Sequence, residues 1–146
     1  MADAKTSAIF YKFIFMEEKY NESTHNRPEG DRVINAPFVV SDLGAHIKQI
    51  TEEDAYFNSD RNAITLFKAH GVSVVLTALR NGAEMGTPEP TGKVGIIQVL
   101  SGSLDVEIES ETSTVAVQQI ISFHTHLGYH IVATEDTIFL LTFCDK

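Results

Sequence analysis

From Ala63 to the C-terminus, apolar and polar residues alternate in short runs rich in Val, Ile, Thr and Phe, the period-two pattern of half-buried strands. The clearest run is Ser103 to Glu109, where Leu104, Val106 and Ile108 alternate with Asp105, Glu107 and Glu109, giving one core face and one solvated face. Turn signals at His70-Gly71, Asn81-Gly82, Ser101-Gly102 and Ser110 to Thr112 cut the runs. This spacing predicts an all-β sandwich or barrel of antiparallel strands. Ile96 to Leu100 and Ile138 to Phe143 are apolar on both faces, so their outer sides need cover.

Ahead of the strands the period changes. Leu43, Ile47 and Ile50 follow Ser41 at helical spacing, and Thr51 with Asp54 has the form of a capping box, predicting two short helices within 42–58, the first weakened by Gly44. Further upstream, Ile9, Tyr11, Phe13 and Phe15 share one face of an extended N-terminal strand. Glu17 to Arg32 is polar, with Asn, Ser, Pro and Gly, and reads as a flexible link. The aromatic strand, or a second subunit, is the natural cover for the barrel's apolar outer side. The expected organisation is therefore an N-terminal extension over 1–34 and a barrel domain over 35–146.

Composition narrows the function classes. At 146 residues, 43% hydrophobic and 21% charged, the chain has the make-up of one globular core. A formal charge of −9 repels phosphate backbones and anionic lipid, so neither nucleic acid nor membrane is an expected partner. The apolar segment Ala8 to Met16 is interrupted by Lys12 and is too short to span a bilayer, which points to a cytoplasmic protein. The single cysteine, Cys144, lies in an apolar run and reads as a small hydrophobe. No Ser/His/Asp arrangement can be placed, and there is no glycine-rich phosphate loop and no Cys-x-x-Cys pair.

The stretch from Gly82 to Gly102, followed by Ser103 to Ile108, resembles the first motif of the cupin superfamily, and Gln118 to Ala133, leading into Phe139-Leu-Leu-Thr142, resembles the second. The helices before them are similar to those of small single-domain bacterial cupins. The resemblance covers Ala63 to the C-terminus and implies a double-stranded β-helix, the jelly-roll barrel, here with short N-terminal helices and an extra N-terminal strand. It also implies where metal ligands would lie. Both frame glycines are present, but the family's two histidine positions fall on Pro88 and Pro90, its glutamate position on Gly95, and its second-motif histidine on Tyr129. Proline and glycine side chains offer no lone pair, and one phenol alone makes a poor metal site. No metal or other cofactor is expected there.

On strand alternation, Gly95, Ile97, Val99, Leu104, Val106 and Ile108 point inward and predict a mainly apolar interior. The expected role is that of a metal-free, non-catalytic cupin-like protein that binds a small apolar or weakly polar molecule or acts as a homo-oligomeric, homodimeric module. Candidate ligand-binding residues at the barrel mouth and interior are Tyr129, His124, His126 and Glu89. Tyr129 either hydrogen-bonds a ligand or plugs the cavity. The alternative is a dioxygenase- or isomerase-like enzyme whose divalent metal has moved to some of Glu89, His124, His126, Tyr129 and His130, although alternation turns His130 outward. His25, His46 and His70 are isolated and carry no expected chemistry.

Overall fold

The computed structural model describes residues 18–25, 27 and 32–146. The chain divides into two compact units, residues 1–40 and 41–146. In the first, β1 (Lys19–Asn21) pairs antiparallel with β2 (Arg32–Asn35), with Tyr20 opposite Val33. The polar stretch expected to be a bare link therefore contributes a strand, which an aromatic and β-branched cross-strand pair helps to hold. The expected aromatic strand over 9–16 lies outside the described residues.

The second unit opens with α1 (Leu43–Glu52) and α2 (Asp54–Asn58). The cap of α1 is Asp42, whose carboxylate accepts from the Ala45 N–H at 3.1 Å, where Ser41 was the nearest sequence signal. Thr51 caps nothing: its hydroxyl bonds back to the Ile47 carbonyl within α1, and Glu53, the N-cap residue of α2, makes no side-chain cap hydrogen bond.

Nine strands follow among the described residues: β3 (Arg61–Ala69), β4 (Val72–Leu79), β5 (Glu84–Thr87), β6 (Lys93–Ser101), β7 (Ser103–Ile108), β8 (Glu111–Ala116), β9 (Ile120–His124), β10 (Tyr129–Ala133) and β11 (Thr137–Asp145). They form a five-stranded sheet in the order β3-β4-β11-β6-β9 and a four-stranded sheet in the order β5-β10-β7-β8, all pairs antiparallel. The chain crosses repeatedly between the two sheets, which is the jelly-roll arrangement. The core between the sheets holds Leu79, Ile97, Val99, Phe139 and Leu141 from one and Leu104, Val106, Val115 and Ile131 from the other. Every residue expected to point inward does so: Gly95, Ile97, Val99, Leu104 and Val106 are buried, and Ile108 packs against the same core.

The outer side of the five-stranded sheet carries a second cluster. Ile50 of α1, fully buried, packs with Ile64, Leu66, Leu76 and Ala78, and Leu43, Ile47, Tyr56, Leu100, Ile138 and Leu140 surround them. Among the described residues, the cover for these outward apolar residues is the helix pair; the aromatic strand expected there lies outside the described residues. The sequence shows the apolar stripe of α1, but only the fold places it on β3, β4 and β11. Two polar links fix it there. Asn62 Nδ2 donates to the Ile50 carbonyl (2.9 Å) and to Glu53 Oε1 (3.0 Å), and the Arg80 guanidinium stacks 4.2 Å from the Tyr56 ring centre while its Nε donates to the Tyr56 carbonyl.

Turns match the glycine signals at Gly71, Gly82 and Gly102, all at positive φ. The last is required, because a β-carbon at 102 would press on the Asp136 carbonyl and Thr137. The hairpin between β7 and β8 turns one residue earlier than its sequence signal, at Glu109 and Ser110, both in the left-handed region (φ 53° and 68°).

Candidate functional site

The site is built from strands that meet at one end of the barrel. On β6, Gly95 lies in register with Phe123 of β9 on one side and Phe143 of β11 on the other. A β-carbon on residue 95 would stand 2.5 Å from Phe123 Cζ, so the absence of a side chain at 95 admits the Phe123 ring. Tyr129, the first residue of β10, projects into the same space, with its ring centre 5.5 Å from that of Phe123 and 5.8 Å from that of Phe143. These tilted contacts suit the quadrupoles of aromatic rings. Burial pushes the Tyr129 phenol above its ordinary range, because the phenolate would be poorly solvated. Its hydroxyl makes no hydrogen bond to a described residue.

Tyr129 pairs with Thr87 of β5, so Pro88 and Pro90 follow directly at the rim. The positions that the cupin resemblance assigns to metal ligands therefore carry two prolines, a glycine whose flank holds a benzyl ring, and a phenol clasped between two phenylalanines. That donor set does not fit a metal ion.

The other candidates are scattered. Glu89 is exposed on the loop after β5, where its N–H is bonded to the Thr87 hydroxyl. His124 and His126 are exposed neighbours with ring centres 5.9 Å apart. His130 faces out from the four-stranded sheet, as alternation requires, with Nε2 3.3 Å from Glu84 Oε1. The fold separates it from the other two histidines, and no group of three or more His, Cys, Asp or Glu among the described residues is placed to hold a metal.

Sequence reasoning missed Thr125, which lies between the two exposed histidines and is fully buried. Its N–H donates to the Lys93 carbonyl (3.1 Å), its hydroxyl accepts from the Lys93 N–H (3.2 Å) and contacts the Thr91 hydroxyl, and its carbonyl accepts from Thr91 and Gly128. It ties the loop before β6 to the loop that presents Tyr129. A threonine flanked by histidines drew no attention because only the tertiary fold buries it.

Two cavities lie in the barrel unit, one of them bordered by Tyr129. One, about 580 Å³, is a groove on the outside of the four-stranded sheet, walled by Glu84, Glu107, Glu109, Leu127, Pro88 and His130. The other, about 470 Å³, lies between β3 and β5, the outermost strands of their sheets among the described residues, and reaches the barrel interior, where Val75, Thr77, Leu79, Met85 and Leu141 line it. Arg61 spans its rim: Nη2 donates to the Glu84 carbonyl on β5 at 2.7 Å, and Nε to Asp60 Oδ1 at 2.8 Å. This contact holds the Asp60 carboxyl below its usual range. A polar arginine and a threonine in an apolar strand were the available signals for this second site, and neither has a spacing that marks it in the sequence.

No family model matches the sequence, and no curated protein matches it. Solved structures do match. TT1209 from Thermus thermophilus aligns over 74% of this chain and 98% of its own, with a TM-score of 0.61 at 15% identity. An RmlC-like cupin from Shewanella frigidimarina aligns over 60% of this chain and 78% of its own (TM-score 0.54, 17% identity). The cupin domain of an XRE family transcriptional regulator from Enterobacter cloacae aligns over 60% of this chain and 99% of its own (TM-score 0.55, 18% identity). At such identities the likeness speaks to architecture and not to activity. Two facing antiparallel sheets in jelly-roll order, with these neighbours, make the chain a cupin in fold.

Proposed function

We propose that this cupin-fold chain is a metal-free binding protein for a small, mainly apolar molecule, held in the cavity between β3 and β5. The observation that carries the reading is the cavity of about 470 Å³ walled by Val75, Leu79, Met85 and Leu141. It is a concave apolar space with few polar groups, which is the usual form of a small-molecule site. The aromatic cluster supports the metal-free part, since Phe123 fills the flank of Gly95 and leaves no donor there.

The direct test is a thermal melt with butylbenzene as the probe. Saturating butylbenzene raises the melting temperature of the wild-type chain by linkage, and Leu141→Trp, which fills the cavity, removes the effect. No shift in the wild-type chain would end this reading. Elemental analysis of tag-free protein grown with iron, zinc, manganese and nickel accompanies it: no stoichiometric metal is expected, and a stoichiometric one would bring the relocated-site enzyme forward.

The proposal extends to a cytoplasmic homodimer. Among the described residues no helix is long and apolar enough to cross a membrane. Val117, in the turn between β8 and β9, and Ile120, the first residue of β9, which is outermost in its sheet among the described residues, stand exposed, and a second copy would cover them. Light scattering on eluted protein gives a dimer mass under this proposal, and a monomer at high concentration would remove it.

A further inference from the structure

The wall of the β3–β5 cavity contains one polar side chain that the fold leaves unused. Thr77 is only 5% exposed and sits in the middle of β4, between the inward residues Val75 and Leu79. Its hydroxyl bonds to no described residue. Nor is it sealed: among the described residues the one side-chain polar atom shut away without a partner is Nδ1 of His46. The Thr77 hydroxyl therefore opens into the cavity it lines. A buried hydroxyl without a protein partner costs stability that valine, of the same shape, would not cost.

The second polar group is at the rim. Arg61 lies in register with Leu79, two residues along from Thr77 on the same inward face. Its Nε and Nη2 are taken by Asp60 and the Glu84 carbonyl, which fix the guanidinium across the opening. Nη1 has no partner among the described residues and keeps its two donors. The guanidinium is thus held in place from one side and available from the other.

We infer that the ligand is an amphipathic carboxylate: an apolar body against Val75, Leu79, Met85 and Leu141, a carboxylate on Arg61 Nη1, and a hydroxyl or carbonyl group on Thr77. This rests on the small-molecule binding reading above and gives it a substrate class. Pleat spacing of about 3.3 Å per residue sets the two polar contacts about 7 Å or more apart, so the ligand carries its two polar groups at opposite ends of a short apolar body.

Three probes separate the contributions: butylbenzene, phenylbutyrate and para-hydroxyphenylbutyrate, each titrated by calorimetry against the full chain. Phenylbutyrate binds about tenfold tighter than butylbenzene, the scale of a partly solvated charge-assisted contact. The para-hydroxyl adds about fivefold, the scale of one neutral hydrogen bond. Thr77→Val abolishes only the hydroxyl gain, and Arg61→Met only the carboxylate gain. Because Arg61 also links the two sheets, Arg61→Lys serves as a second variant that keeps the charge but loses the fork, and it weakens phenylbutyrate without affecting butylbenzene. Equal affinity for all three probes, or a hydroxyl gain that survives Thr77→Val, overturns this inference and leaves apolar binding standing. Failure of butylbenzene and both acids to bind overturns both.

Discussion

Phe123 occupies the space beside Gly95 that a side chain would otherwise fill, with ring carbons 2.5 Å and 2.7 Å from where a β-carbon would stand. The two residues are opposite one another on β9 and β6, so each determines what the other can be. Gly95→Ala forces the ring or the strand to move and destabilises the fold by about 1–3 kcal/mol, the range for overpacking a core. Phe123→Ala costs about 3–5 kcal/mol by leaving a cavity. The double variant is less damaged than the sum of the singles, because alanine at 95 has room once the ring is gone. Urea denaturation of the four proteins measures the coupling; strict additivity would show that the ring does not depend on the glycine.

Tyr129 makes stability depend on pH at the alkaline end. Burial raises the phenol's pKa in the folded chain above its ordinary value near 10. The native state then holds a proton that the unfolded chain has released. Its contribution is complete below the ordinary pKa and is lost as pH rises through the raised one. The melting temperature of the wild-type chain therefore falls more steeply above about pH 10 than that of Tyr129→Phe. Absorbance titration of the phenolates shows the late-titrating component missing from Tyr129→Phe. Tyr20 is raised as well, through its hydrogen bond to Glu18, so Tyr20→Phe is the control that removes its share.

The hairpin between β7 and β8 turns through Glu109 and Ser110, both at positive φ without being glycine. Side chains meet a steric cost there that Asn and Gly largely escape, and Asn-Gly is the preferred pair for such a two-residue turn. Replacing them with Asn and Gly raises stability by about 1 kcal/mol, read as a higher urea midpoint with an unchanged slope. No gain would mean that the turn relaxes in solution to a geometry these residues tolerate.

Ile50 is fully buried beneath the helix pair, against Ile64, Leu66, Leu76 and Ala78. Ile50→Ala costs about 2–5 kcal/mol and exposes the outer cluster, so dye binding to apolar surface rises before global unfolding. Ile47→Ala, at a half-buried position on the same helix, costs less. Equal effects at the two positions would contradict the packing of α1 on the sheet.

The alternation along β6 and β7 determined which residues line the core, because strand geometry sends successive side chains to opposite faces regardless of what lies beyond. Turn glycines were equally legible, since positive φ is a local demand. The same logic turned His130 outward before any neighbour was known. The replaced ligand positions were legible only through the motif frame, in the spacing of Gly82, Pro88, Pro90, Gly95 and Gly102.

What replaces those ligands, and where a molecule would bind, belongs to tertiary structure. Phe123 meets Gly95 across 28 residues of chain because β6 and β9 pair, and pairing partners leave no periodic trace in either segment. Thr125 is buried, the Thr77 hydroxyl has no partner among the described residues, and Arg61 reaches from β3 to β5, each through the way strands remote in sequence come together. That the helix pair packs on β11 was not legible for the same reason: an apolar outward face requires a partner, but the hydrophobic effect has no direction and does not say which one. Local geometry specified the strands and their faces, and the closure of two sheets on one another decided the cavity.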